Sequence, residues 1–518
     1  MKQPTAFDAS RRQFLRQSGW FSALAGPAAP LALNLAALGS AAAQGTGDYK
    51  ALVCLFLFGG NDAYNMVLPT DAASWSAYTL TRNQAPDSIA LLSPGTAPVA
   101  GAAAGSPARL GGVLPISAAR PQGRSFALHP LMGSLQTLFN SDRRLAVLPN
   151  IGPLLAPTTK AQYNAGTALP PRLYSHNDQQ NTWQALGPEG TSVGWAGRMG
   201  DLLMSANARP VFTAVSASGN AVWLSGQAVR QYQVGSNGAI RLGADGNGKV
   251  YGSTAIASAL QSIAATSRGN VLLEADMASA AQRSIEAEAV LRNALRPASD
   301  AAFGTPPASG SYNPNVDPKL QYDNPLTGAK AFNALAQQFQ IVARMIDAGI
   351  AGATGVNRQV FFVSLGGFDT HDLQNRGHAD LMARLSQALR YFDTTLGALN
   401  ARQRVTTFTG SDFGRTFTSN GDGTDHGWGA HHFVMGGAVR GGDLYGTFPV
   451  LGVKNAANNN FDSSPDQLGN GALLPGTSVD QLGATLGRWF GLSDAQLLDI
   501  FPNLSRFDPA LRNLGFMA

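Results

Sequence analysis

"ALVCLFLFGGND" (51–62) is an unbroken apolar run of strand length that stops at two glycines and then turns polar. A strand with one wet face alternates apolar and polar residues, whereas an unbroken run predicts a strand buried on both faces, as in a parallel sheet covered by helices. Working outward, "LAVLPN" (145–150), "QVFFVSL" (359–365), "VTTFTGS" (405–411) and "HFVMGGAV" (432–439) read as further strands. The stretches 131–142, 330–350 and 378–402 carry apolar residues at helical spacing and predict helices between them. Alternating strand and helix predicts an α/β fold, a three-layer sandwich around a mostly parallel central sheet. Residues 211–330, rich in Ala, Ser, Gly and Asn, break that rhythm and predict an insertion or cap on the same domain, with one long helix near 274–296.

At 518 residues, with 44% hydrophobic and only 13% charged residues, the chain can bury a large core. Its N-terminus carries Arg11-Arg12, Phe14-Leu15 and Arg16. A moderately apolar stretch from Trp20 to Leu38 and small residues at Ala41–Ala43 follow. This resembles a twin-arginine (Tat) export signal spanning 1–43, which predicts a single mature domain over 44–518 in the periplasm or outside the cell. The Tat export machinery is then a partner, and no membrane span is expected once the signal is cleaved. Because 1–43 holds Lys2, Arg11, Arg12 and Arg16 against Asp8, the remainder has 33 basic and 31 acidic residues, a net of +2 against +5 overall. That balance, with no Lys/Arg cluster, argues against a nucleic-acid partner. Cys54 is the only cysteine and lies inside the apolar run, so it predicts a buried, inert thiol.

In open α/β sheets, ligands bind beyond the carboxyl ends of the strands. Polar residues gather there: Asn61 and Asp62 after the first strand, Asp369 and His371 in "GGFDTHD", and Asp412 in "GSDFGRT". Asp425, His426, His431 and His432 follow in "DHGWGAHH". Each piece has an ordinary structural reading. Asp62 can cap a helix, Asp412 can form an Asx-turn, and adjacent His431 and His432 cannot both face one side of a strand. Taken together, carboxylates and imidazoles without thiols suit one or two divalent cations, zinc or manganese, better than calcium. A further stretch, "YSHNDQQ" (174–180), sets Ser175, His176 and Asp178 at a helix start. Ser175 reads either as an N-cap or as a nucleophile facing the metal, and His176 and Asp178 as ligands or acid/base groups. No Gly-x-Ser-x-Gly elbow, phosphate-binding loop or dinucleotide fingerprint is present.

The signal, "LFLFGGNDAYNMVLP", "YSHNDQQ", "GGFDTHD", "SDFGRT", "DHGWGAHHFVMGGAVRGG" and "TSVDQLGATLGRWFGL" together resemble a large bacterial family of secreted proteins of unknown function. That family is similar to the alkaline phosphatase and sulfatase superfamily. The likeness implies metal ligands at Asp62, Asp369, His371, Asp412, and His426 or His431, a nucleophile at Ser175, and Arg415 on a substrate oxygen. It also implies hydrolysis of a phosphate or sulfate ester, small or polymeric. "SDFG" departs from the superfamily's "SDHG" and "SDNG", since Phe413 replaces a ligand. The alternative is a non-catalytic binding or assembly factor that keeps the fold and at most one structural metal.

Overall fold

The structure, a computed structural model, describes residues 48–518 except 237, 246, 268 and 270. The proposed export signal lies outside the described residues. A nine-stranded sheet forms the middle of the molecule. In chain order its strands are β1 (Lys50–Phe58), β2 (Leu145–Gly152), β3 (Ala214–Ser216), β4 (Tyr232–Gly235) and β5 (Gly238–Ala239). They continue with β6 (Arg358–Gly366), β7 (Val405–Ser411), β8 (Ala430–Gly436) and β9 (Thr477–Ser478). Across the sheet the order is β9-β2-β8-β7-β1-β6-β3-β4-β5. β1 pairs in parallel with both β6 and β7, from Lys50 opposite Arg358 and Ala51 opposite Val405. Only β8 and the short β5 run against the rest.

The unbroken apolar run of β1 has a direct structural cause. Side chains alternate across a strand, and Val53, Leu55 and Leu57 enter one core while Leu52, Cys54 and Phe56 enter the other. β6 divides likewise, Phe361 and Val363 to one side and Val360 and Phe362 to the other. Both faces are therefore dry, and each such side chain contributes about 1.5–3 kcal/mol by leaving water. Helices α1 (Ala72–Arg82), α2 (His176–Ala185), α3 (Trp195–Leu203), α4 (Leu272–Ala294), α5 (Ala334–Ile350), α6 (Gln374–Ala398) and α7 (Val479–Phe490) surround the sheet. α5 and α6 cover the first face through Phe339, Val342, Met382 and Phe392. Trp183 of α2, Trp195 of α3 and Leu482 and Phe490 of α7 cover the second. α7 starts at a capping box: Ser478 Oγ accepts from Gln481 N at 3.0 Å, and Gln481 Oε1 accepts from Ser478 N at 2.8 Å.

Residues 211–330 do more than cover the domain. They supply β3, β4 and β5 to one edge of the central sheet and carry α4 against it. Among the described residues no helix is long and apolar enough to cross a membrane. Cys54 is a free, buried thiol.

Candidate metal centre

The three central strands, β1, β6 and β7, run parallel and end on the same edge. β1 hands over to Gly59 and Gly60, both with positive φ (114° and 81°). A Cβ on Gly59 would stand 2.4 Å from Asp369 N, and one on Gly60 2.3 Å from the Phe413 ring. Only glycine allows the loops after β6 and β7 to close over β1 this tightly. Phe368 N donates to Phe58 O at 3.1 Å, which fixes the start of the loop carrying Asp369 and His371. β7 ends at Ser411 and presents Asp412, Phe413 and Arg415. The segment before β8 brings in His426, and the first residue of α2 is His176.

His176, Asp369 and His426 each place a ligand atom so that all three atoms lie within 4.8 Å of one another. The protons of both imidazoles are accounted for. His426 Nδ1 lies 2.8 Å from the Tyr174 carbonyl oxygen, which can only accept, so Nδ1 carries the hydrogen. His176 Nδ1 likewise donates to Asp412 Oδ2 at 2.7 Å. In the neutral rings both Nε2 atoms therefore carry lone pairs, and they face Asp369 at 3.5 Å from His176 and 3.3 Å from His426. Lone pairs opposed to a carboxylate repel unless a proton or a cation lies between them. His371 adds a third Nε2, at 3.0 Å from both Asp369 Oδ1 and His426 Nε2, while its Nδ1 lies 3.3 Å from Asp425 Oδ1. Two imidazoles oriented by outer oxygen acceptors and one carboxylate form a donor set that fits zinc or manganese.

The surroundings hold this arrangement. The Phe413 ring packs against both imidazoles, with centroids 4.7 Å from His176 and 4.6 Å from His426, which also meet each other edge to face at 4.4 Å. Arg415 is fully buried; its Nη1 donates to Asp369 Oδ1 at 2.7 Å and its Nη2 to the Thr424 carbonyl. Burial opposes the charge on Asp369, but the hydrogen bond and charge of Arg415, with His371 and His176, outweigh it and hold the carboxyl below its ordinary pKa. The hydrogen bond to Asp412 raises His176 above the ordinary imidazole range against its partial burial. Burial lowers His426, with the positive neighbours His176 and Arg415 adding to the effect. The Asp369, His371, His426 and His176 side chains remain 45, 40, 26 and 28% exposed, so the cluster opens to solvent.

Other residues singled out in the sequence sit elsewhere or play supporting parts. Asp62 is fully buried in a two-point ion pair with Arg82 of α1, at 2.6 and 3.0 Å, and also accepts from Gln374 Nε2 at 2.6 Å. Its carboxylate serves the interior. Asp412 stands behind His176: its Oδ2 accepts from His176, from Gln180 Nε2 at 2.8 Å and from Gly59 N at 3.2 Å. Among the described residues its buried Oδ1 has no hydrogen-bond partner. His431 lies within β8, where its Nδ1 accepts from Asn150 N at 3.0 Å and its ring packs on Phe448. It does not join the cluster. Ser175 begins α2, and its hydroxyl donates to Asp178 Oδ2 at 2.9 Å. Asp178 is buried beside it, with Arg172 Nη1 at 3.7 Å. The sequence reading missed Phe413 as a support for the imidazoles, the carbonyl of Tyr174 and the orienting part of Asp425. "SHNDQQ" did hold one unread signal, Gln180, one helical turn after His176 and on the same carboxylate.

No curated protein matches the chain. The crystal structure of Ps i-CgsB is similar at 9% identity, covering 89% of this chain and 77% of that one, with a TM-score of 0.32; likeness at that level supports no statement about fold or function. A family profile matches residues 49–501, from the residue before β1 to beyond α7, and takes in every residue of the cluster. The chain belongs to the family described as "Protein of unknown function (DUF1501)".

Proposed function

We propose that this chain is a Tat-exported, metal-dependent hydrolase-like protein, related to the alkaline phosphatases and sulfatases, acting on phosphate or sulfate esters in the periplasm or beyond it. One observation carries the reading: His176 and His426 have both committed their Nδ1 hydrogens elsewhere and turn Nε2 toward Asp369 at a solvent-open edge. A zinc or manganese ion held by His176, Asp369 and His426 supplies Lewis-acid polarisation of an ester oxygen. Asp412 and the Tyr174 carbonyl orient the two imidazoles, and Phe413 backs both rings. Arg415 neutralises and aims Asp369, so its part is positioning, not contact with substrate. His371, held by Asp425 and adjacent to His426, is the group available to take or give a proton at the open side. Ser175 spends its hydroxyl hydrogen on Asp178, which favours water over serine as the attacking group.

The second reading, a non-catalytic binding factor with one structural ion, is favoured by that same tied hydroxyl and by a donor set sized for a single cation. Turnover separates the two. Full chain loaded with Zn²⁺ or Mn²⁺ should cleave aryl phosphates or sulfates, and Asp369→Ala should abolish both cleavage and metal binding. Metal binding without turnover on either ester class selects the structural reading; no metal binding removes both.

A further inference from the structure

A cleft that shares no residue with the metal cluster lies where β3, β4 and the chain after β5 meet α4. Its volume is about 1100 Å³, slightly above the ~300–1,000 Å³ usual for small-molecule sites. One wall is apolar: Phe212, Val229 and Tyr232 line it, the Phe212 and Tyr232 rings meeting edge to face at 5.6 Å. The other is the face of α4 carrying Ala280, Ser284 and Ala287, at i, i+4 and i+7, whose small side chains leave the space unfilled. Ile240 and Leu242 border the cleft at 53 and 38% exposure. Phe212, Val229 and Tyr232 are already buried, but the exposed surface of Ile240 and Leu242 costs free energy in water unless something covers it.

The charges around the cleft select what covers it. Four arginines line it (Arg209, Arg230, Arg241 and Arg283) against one acid, Glu286. Arg241 is spent on Glu288 at 2.9 Å. Among the described residues Arg209, Arg230 and Arg283 make no ion pair with a carboxylate. Arg230 Nη1 donates to the Gly226 carbonyl at 3.0 Å and Arg209 Nη1 to the Ala353 carbonyl at 3.4 Å, which leaves their charge unneutralised. An apolar interior beside guanidinium groups without a carboxylate partner matches a ligand with a hydrocarbon body and one anionic head, which the planar guanidinium can bind through two hydrogen bonds.

We propose that the cleft binds a straight-chain fatty carboxylate, the hydrocarbon lying between Tyr232 and the small-residue face of α4 and the carboxylate meeting Arg230 and Arg283. The site stands apart from the hydrolase reading and survives its failure. Calorimetric titration of the full chain with octanoate, decanoate and dodecanoate, below their micelle concentrations, tests it. One molecule per chain should bind, with affinity rising about two- to fourfold per added methylene. Decanol should bind at least tenfold more weakly than decanoate. The double variant Arg230→Gln/Arg283→Gln, at two exposed positions, should lose at least tenfold for decanoate and little for decanol. Absence of saturable binding, equal affinity for acid and alcohol, or an unaltered double variant would each overturn the proposal.

Discussion

Replacing Asp412 by Ala strips the Nδ1 acceptor from His176 and leaves Gln180 Nε2 and Gly59 N without their partner. Loss of an outer carboxylate that orients a metal-binding histidine costs about 10–100-fold in metal affinity. Asp412→Ala should therefore weaken Zn²⁺ binding by that factor in a competition titration, although the residue need not touch the ion. Phe413 acts from the other side. Its buried ring packs against both imidazoles, so Phe413→Ala should lower unfolding free energy by about 3–5 kcal/mol and weaken metal binding as well. Phe413→Leu should restore most of the stability. A Phe413→Ala protein with unchanged denaturation midpoint would show that the ring supports neither imidazole. Read from sequence, Phe413 was a missing ligand. Its packing role depends on His176 and His426, more than two hundred residues and thirteen residues away respectively, a juxtaposition that no local pattern records.

At the scale of the elements, the turn after β1 governs how the site closes. Gly60→Ala puts a methyl group into the Phe413 ring and an L-residue at φ 81°. The backbone term alone is about 1–2 kcal/mol, so the variant should melt clearly below the parent. Gly366→Ala, at the end of β6, meets nothing within 4 Å and should leave the midpoint nearly unaltered. These elements were readable because their chemistry is local. β1 is an unbroken apolar run, β6 holds the apolar stretch Val360–Val363, and β7, rich in β-branched Val and Thr, spans the same residues, 405–411, that the sequence marks. β3, β4 and β5 escaped notice because they are three, four and two residues long, too short to show a periodic pattern although Val215, Tyr232 and Val234 reach the core. The reversed direction of β8 has no local signature either, since an apolar strand reads alike both ways. Asp62 illustrates the same limit at the site: its position after β1 was legible, but its partner Arg82 arrives from α1.

For the whole molecule, buried histidines set the response to acid. Burial, the largest cause in each case, lowers His378 to about 4 and His431 and His432 to about 3, and holds His129 well below its ordinary value. Between those values and about 6.5, the unfolded chain binds protons that the folded chain refuses. Their contribution is thus complete above pH ~6.5 and is lost as the pH falls, by up to about 1.4 kcal/mol per pH unit for each histidine. In the metal-free chain His176 has the opposite sign: its raised pKa stabilises the fold below pH ~6.5 and that term is lost as the pH rises through its folded value, though partial exposure keeps it small. Urea midpoints should fall steadily from pH 7 to pH 4.5; a flat profile would mean that the four rings are not held neutral. The central claim, that His176, Asp369 and His426 hold one divalent cation, is met most directly by elemental analysis of the exported protein purified from the periplasm. The account predicts one zinc or manganese per chain in the parent and none in a folded His176→Ala/His426→Ala variant. A metal-free parent, or a double variant that keeps its ion, would contradict it.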